Sequence, residues 1–266
     1  MTLPPPQSPT TRELVVAVSP FEEPNPRLVT AAERAGSLGL LDLGRDPDAA
    51  RRAFAELARR LGEVGGDGGG GGEGSGHRYG VRVPAGCPAR PGDLPPEVDT
   101  VLLADPGDHT RERMAAWAAA AGRPRVWAEV TSRAEAGAAV SAGAAALVAK
   151  GHEAGGRVGG TTTFVLLQQL LAGSGPGVPV LAMGGIGPHT AAAAVAGGAA
   201  GVVLDAQLAL TAEGEEALPA DVAAAVRAMD GSETRLLDGH RVFARPGLPA
   251  PDGPVPASCL RSHPRR

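Results

Sequence analysis

Aromatic residues are scarce in this chain: only 3% of its 266 residues are Phe, Trp or Tyr. Its core must therefore be built from Ala, Val and Leu, and a hydrophobic content of 43% is enough for one. A basic excess is missing too. The formal charge of -4 argues against nucleic acid or an anionic membrane surface as partner. No apolar run reaches about 18 residues, so no membrane span is expected. The start, Met1-Thr-Leu-Pro-Pro-Pro, has neither a basic segment nor an apolar leader core, and a cytoplasmic protein is expected. Cys87 and Cys259 are the two cysteines, far apart in Pro-rich surroundings. A disulfide framework or metal site needs more ligands at closer spacing, so no metal is expected. Lysine is nearly absent: of 25 basic residues only Lys150 is lysine. It is kept either by chance or for a compact charge on a flexible stem, which Arg cannot copy.

What is present is an alternation of short apolar runs with amphipathic stretches, the pattern of βα units around a parallel sheet. Eight strands are expected: Leu14–Val18, Leu38–Leu43, Tyr79–Val83, Thr100–Ala104, Arg125–Val130, Ala145–Ala149, Val178–Met183 and Ala200–Leu204. Continuous apolar runs suit strands covered on both faces. Helices are expected at Pro26–Ala35, Asp46–Leu61, Thr110–Ala121, Ser132–Ala142, Thr161–Ala172, Pro188–Ala196 and Leu218–Met229. The prolines of 87–96 oppose a helix between the third and fourth strands. The fold predicted is α/β, a shortened (β/α)8 barrel over residues 12–230, with a hairpin-like segment and Pro-rich tail over 231–266. The glycine run 65–76 reads as a flexible loop: it lacks the Lys-Ser/Thr of a P-loop and precedes a strand. Residues 246–266 read as a disordered tail. Thr234–Ala244, with its Asp-Gly pair, reads as a hairpin closing the barrel bottom or leading to a partner.

In such barrels function sits at the carboxyl ends of the strands. After the sixth strand comes Lys150-Gly-His-Glu-Ala-Gly-Gly-Arg157, which gathers cations, an imidazole, a carboxylate and glycines before a helix. Gly155 and Gly156 let backbone approach a ligand, and the helix start favours an anion. After the seventh strand, Gly184 and Gly185 suit a phosphate-binding turn. After the eighth, Asp205 would repel one. His152 titrates near neutral pH and could act as acid or base, or lie at the surface. Glu153 could pair with Lys150 or Arg157. Glu129 could partner Lys150 at the barrel mouth.

The segment Gly151-His-Glu-Ala-Gly-Gly-Arg-Val-Gly-Gly-Thr-Thr-Thr-Phe164 resembles the Glu-Ala/Ser-Gly-Gly-His-x-Gly segment of nitronate monooxygenases (2-nitropropane dioxygenase-like) and the related flavin enoyl-ACP reductases. Looser likeness runs through residues 25–40, 77–83, 179–186 and 197–203. The resemblance implies a barrel, FMN, a small-molecule substrate and oxidoreductase (monooxygenase) chemistry. It points to Lys150, His152 and Arg157 as catalytic candidates and to Lys150, Glu129, Gly155, Gly156, Gly184, Gly185 and Arg82 as cofactor-binding candidates. Departures are specific. The family's catalytic His falls on Arg157, its Asn on Arg82, its Gln on Lys150 and its phosphate-loop Gly-Thr on Asp205-Ala206. Arg stays protonated and cannot serve as a base. FMN is therefore expected to bind weakly or to be lost. Two functions follow: an FMN-dependent oxidoreductase with altered catalytic residues, or a degenerate barrel serving as an accessory or scaffold domain. The shortened form, with Gly239-His-Arg-Val-Phe-Ala-Arg-Pro-Gly-Leu-Pro249, resembles barrels that begin polyketide synthases, which makes synthase components candidate partners in polyketide biosynthesis. A third possibility is a flavin-free barrel for a phosphorylated metabolite.

Overall fold

The computed structural model describes residues 10–64, 78–104, 110–120, 124–173, 175–214, 220–230 and 232–244. The glycine run 65–76 and the tail 246–266 lie outside these residues. Eight parallel strands close into a barrel: β1 (Val15–Val18), β2 (Leu38–Asp42), β3 (Tyr79–Val83), β4 (Val98–Leu103), β5 (Arg125–Val130), β6 (Ala146–Lys150), β8 (Val180–Met183) and β9 (Gly201–Leu204). β9 pairs back onto β1, Val16 opposite Val203, and so closes the ring. The two-residue β7 (Gly156–Arg157) leaves the barrel after β6. It joins β10 (Thr234–Leu237) and β11 (His240–Phe243) in a separate three-stranded sheet.

The helices are α1 (Pro26–Arg34), α2 (Pro47–Val64), α3 (Thr110–Ala118), α4 (Arg133–Ser141), α5 (Thr163–Leu171), α6 (Pro188–Ala196) and α7 (Ala220–Arg227). Their starts follow local chemistry. The Asn25 side chain accepts from the Leu28 amide, with Pro26 next in line. Ser132 caps α4 through the Glu135 amide. Thr162 caps α5, so that helix begins at Thr163 and not at Thr161 as the pattern predicted. Between β3 and β4 there is only a 3-10 turn at Pro91–Asp93, as the prolines required.

The chain buries two apolar layers. One lies between strands and helices and holds Leu41, Leu57, Val101, Leu103 and Leu166. The other fills the barrel interior with Val16, Leu38, Leu40, Leu102, Trp127, Val148, Leu181 and Val203. With so few aromatics, one indole is the main space-filler inside the barrel, and Trp127 is 2% exposed. Gly80 makes room there: a Cβ on it would lie 2.2 Å from the Leu40 Cδ2.

One expectation is corrected. The 234–244 hairpin does not close the bottom of the barrel. β11 pairs with β7, His240 opposite Arg157 and Arg241 opposite Gly156, so the hairpin lies over the carboxyl ends of the strands. The segment after β6 offers a free edge there, and the hairpin satisfies it.

Candidate functional site

Side chains alternate along a strand, so every second residue faces the barrel interior. Leu38 and Leu40 face inward on β2, as do Trp127 on β5 and Val148 on β6. Continuing that parity by one more inward position brings Asp42, Arg82, Glu129 and Lys150 into one layer at the mouth. Arg82 donates from Nη1 to Asp42 Oδ2 at 2.6 Å and from Nε to Glu129 Oε1 at 2.7 Å. Lys150 Nζ donates to Glu129 Oε2 at 3.0 Å. The four form a line: Asp42, Arg82, Glu129, Lys150. Asp42, Glu129 and Lys150 are buried, at 0%, 2% and 3% exposure, and the Arg82 side chain is 11% exposed.

The electrostatics follow from burial and charge. Burial pushes the Glu129 carboxyl up, but Arg82 and Lys150 outweigh it and hold its pKa at about 2. Asp42 moves the other way: burial raises it more than Arg82 lowers it. Burial also raises half-buried Asp205, against the pull of Lys150.

The remaining candidates lie above this layer. A Cβ on Gly156 would stand 3.7 Å from Lys150 Nζ, so the backbone of β7 passes over the ammonium. Arg157 reaches back to the loop after β5, with Nη2 donating to Glu135 Oε1 at 2.8 Å and Nη1 to Thr131 Oγ1 at 3.4 Å. His152 is partly exposed, with Nδ1 3.5 Å from Glu153 Oε2. Gly155 borders open space. Glu153 pairs with neither Lys150 nor Arg157 through any contact described: its Oε2 accepts from the Thr163 amide and hydroxyl, both at 3.0 Å. A carboxylate at a helix start meets free amides and the positive end of the dipole, which outcompetes a distant cation.

Gly184 and Gly185 have φ of 109° and 63°, conformations that favour glycine. Both face the β6 loop: a Cβ on Gly184 would come 2.9 Å from the Ala154 nitrogen. The Thr163 hydroxyl oxygen also lies 2.9 Å from the Gly184 carbonyl, an alternative acceptor for its one proton. The loops after β6, β8 and β9 thus meet at one end of the barrel. Several amides that could receive a phosphate there are already engaged. Thr190 Oγ1 accepts from the Gly187 amide at 2.7 Å, and Gln207 Oε1 from the Asp205 amide at 3.1 Å. Gln207 Nε2 donates to the Ile186 carbonyl at 3.1 Å, bridging the two loops. Asp205 accepts from the Ala206 amide, and Glu153 holds the amide at the start of α5.

Glu129, Thr131, Lys150 and Arg157 leave no room for even a water molecule between them. Small-molecule sites run to roughly 300–1,000 Å³. The residues at this mouth therefore do not fit a flavin. Their cations are paired with the chain's own carboxylates, and the phosphate turns are bound by its own side chains.

Asp42, Thr131, Glu135, Thr163 and Gln207 belong to the site but were not singled out from sequence. Asp42 had a signal, a carboxylate inside the apolar run Leu38-Gly-Leu-Leu-Asp-Leu43. Glu135 had another, the Ser-x-x-Glu spacing of a capping box at Ser132.

Comparison with known proteins agrees with the resemblance read from sequence. The family described as nitronate monooxygenase matches residues 108–237. No curated protein matches the chain. Among solved structures, FabK from Thermotoga maritima superposes with a TM-score of 0.66 at 25% identity, covering 88% of this chain and 72% of that one. A single-substitution mutant of the same FabK gives 0.69 at 23% identity, covering 88% and 74%. The fold is that of these barrels, and the matched family is one of flavin-dependent oxidoreductases. Among the described residues, no helix is long and apolar enough to cross a membrane.

Proposed function

We propose that this chain is a barrel of the nitronate monooxygenase kind whose cofactor mouth has been rebuilt as an internal ion-pair lock, and that it serves as a non-catalytic accessory domain. One observation carries the reading. The line Asp42–Arg82–Glu129–Lys150 is complete in itself and fills the layer in which a ligand would lie. Arg157, at the position of the family's acid–base His, is tied to Glu135 and Thr131 and stays protonated at any working pH. Lys150 Nζ is engaged by Glu129 Oε2 at 3.0 Å. Among the described residues, His152 Nδ1 faces Glu153 Oε2 at 3.5 Å and lines no part of the space between Glu129, Thr131, Lys150 and Arg157. An accessory role beside polyketide synthase components is supported by the likeness of residues 239–249 to the exit segment of such barrels.

The alternative is an FMN-dependent oxidoreductase with altered catalytic residues. It draws on the convergence of the β6, β8 and β9 loops at one mouth, but needs the ion-pair line to part before a flavin enters.

The test is direct. The purified full chain is expected to be colourless. Added FMN in large excess is expected to keep its free fluorescence and leave the thermal midpoint unchanged. A yellow protein with flavin absorption bands, or a midpoint that climbs with FMN concentration, would overturn the proposal in favour of the oxidoreductase.

A further inference from the structure

The hairpin over the mouth is built unlike the barrel beneath it. None of the eight residues in β10 and β11 is fully buried, and Leu236 is 55% exposed. Its attachments are few. Two residue pairs join β11 to β7. The Val158 amide donates to the Gly239 carbonyl at 2.9 Å. Arg241 Nε donates to the His152 carbonyl, and its Nη1 to Thr234. The Phe243 ring meets Phe21 edge-on at 6.3 Å. Phe21 and Glu22 both adopt left-handed backbone, with φ of 64° and 55°, which is strained for these residues. A two-stranded hairpin held by so little has low local stability. Below it lie ions whose hydration was given up on folding, and any opening returns some of that hydration.

The stacking order is fixed by two contacts. Lys150 lies under Gly156, and Gly156 pairs with Arg241. Whatever reaches the ammonium from this side must displace the segment to which the hairpin is laced.

We infer that Thr234–Phe243 is a movable strap that peels away from the 152–158 segment while the barrel stays folded, and that this release frees the segment and so controls access to Lys150. The inference does not depend on whether the domain is catalytic. It describes how the mouth is reached.

The chain supplies its own probe, because Lys150 is its single lysine. The full chain is treated with an N-hydroxysuccinimide acetate, and acetylation of Lys150 is followed by peptide mass spectrometry. Strap opening predicts a labelling rate that stays flat at low denaturant, well below the unfolding transition. Arg241→Ala is expected to speed labelling about tenfold, as loss of one charge-assisted hydrogen bond would do, with the unfolding midpoint unchanged. A clamp reads the converse. His240→Cys with Arg157→Cys, oxidised, should suppress labelling, and reduction should restore it. Equal rates in the oxidised and reduced clamp, or labelling that follows global unfolding at every denaturant concentration, would overturn the strap. Amide exchange in the native sequence keeps the test available if the clamp fails to fold. Segments 152–158 and 234–243 should exchange together and much faster than 146–150; equal protection of all three contradicts the inference.

Discussion

Charge gathers at both ends of this barrel, under very different conditions. At the amino end, Arg12 meets Glu33 at 2.7 Å and Asp99 at 3.3 Å, and Arg125 meets Glu13. The cations there keep 27% and 35% of their side-chain surface in contact with solvent. At the carboxyl end, Lys150 keeps 4% and Glu129 2%. The pair distances are similar, but the energetics are not. Glu33 and Glu13 are themselves 9% and 7% exposed, so water competes chiefly for the cation of each pair, which weakens the pair and lets salt screen it. A dry pair has lost its hydration, so either partner alone is an uncompensated buried ion. The barrel is thus tolerant at its base and brittle at its mouth.

The largest test of this contrast is Arg82→Leu, which leaves Asp42 without its cation and Glu129 with Lys150 alone. A loss of about 3–5 kcal/mol in urea unfolding is expected; a loss under about 1 kcal/mol would erase the distinction between the ends. Next is Lys150→Met, which leaves Glu129 held by Arg82 alone and should cost about 2 kcal/mol. Combining it with Glu129→Gln should recover part of that, a coupling of about 1 kcal/mol or more that a double-mutant cycle would read. Strict additivity would mean the two side chains do not sense each other.

Acid should act through the same pair. The Glu129 pKa lies at about 2 in the fold and near its ordinary 4.5 when unfolded. Its contribution is present above about 4.5 and fades as pH falls toward 2. Asp42 is raised in the fold, so its protonation offsets part of that loss. Stability measured from pH 6 to 2.5 should drop for the native sequence and less steeply for Glu129→Gln; parallel curves would contradict the assignment. The smallest effect is reserved for the base. Arg12→Ala should change stability by no more than about 1 kcal/mol, and less at high salt.

The barrel was legible in the sequence because its strands are largely apolar runs buried on both faces, and α1, α4 and α5 carry side-chain caps. The charged layer was legible only in fragments. Arg82, Glu129 and Lys150 drew notice one by one, through position and type, yet their shared inward parity is what unites them. Asp42 was hidden by the leucines around it. The side of the barrel on which the hairpin lies was not legible at all. Local turn chemistry fixes a hairpin at Asp238-Gly239, but its docking edge is created by Gly156 and Arg157, some 80 residues earlier. That edge exists only after the barrel has closed.

Trp127 has a consequence of its own. It stands inside the ring, two residues before Glu129 on the same strand face, with the Arg125 guanidinium 5.8 Å from its ring centre. With Trp117, the second indole, replaced by Phe, the emission colour follows the polarity of the packed barrel interior between the two charged ends. Water entering from above would shift that emission to the red before the strands part, giving the protein a built-in optical gauge of how dry its axis is.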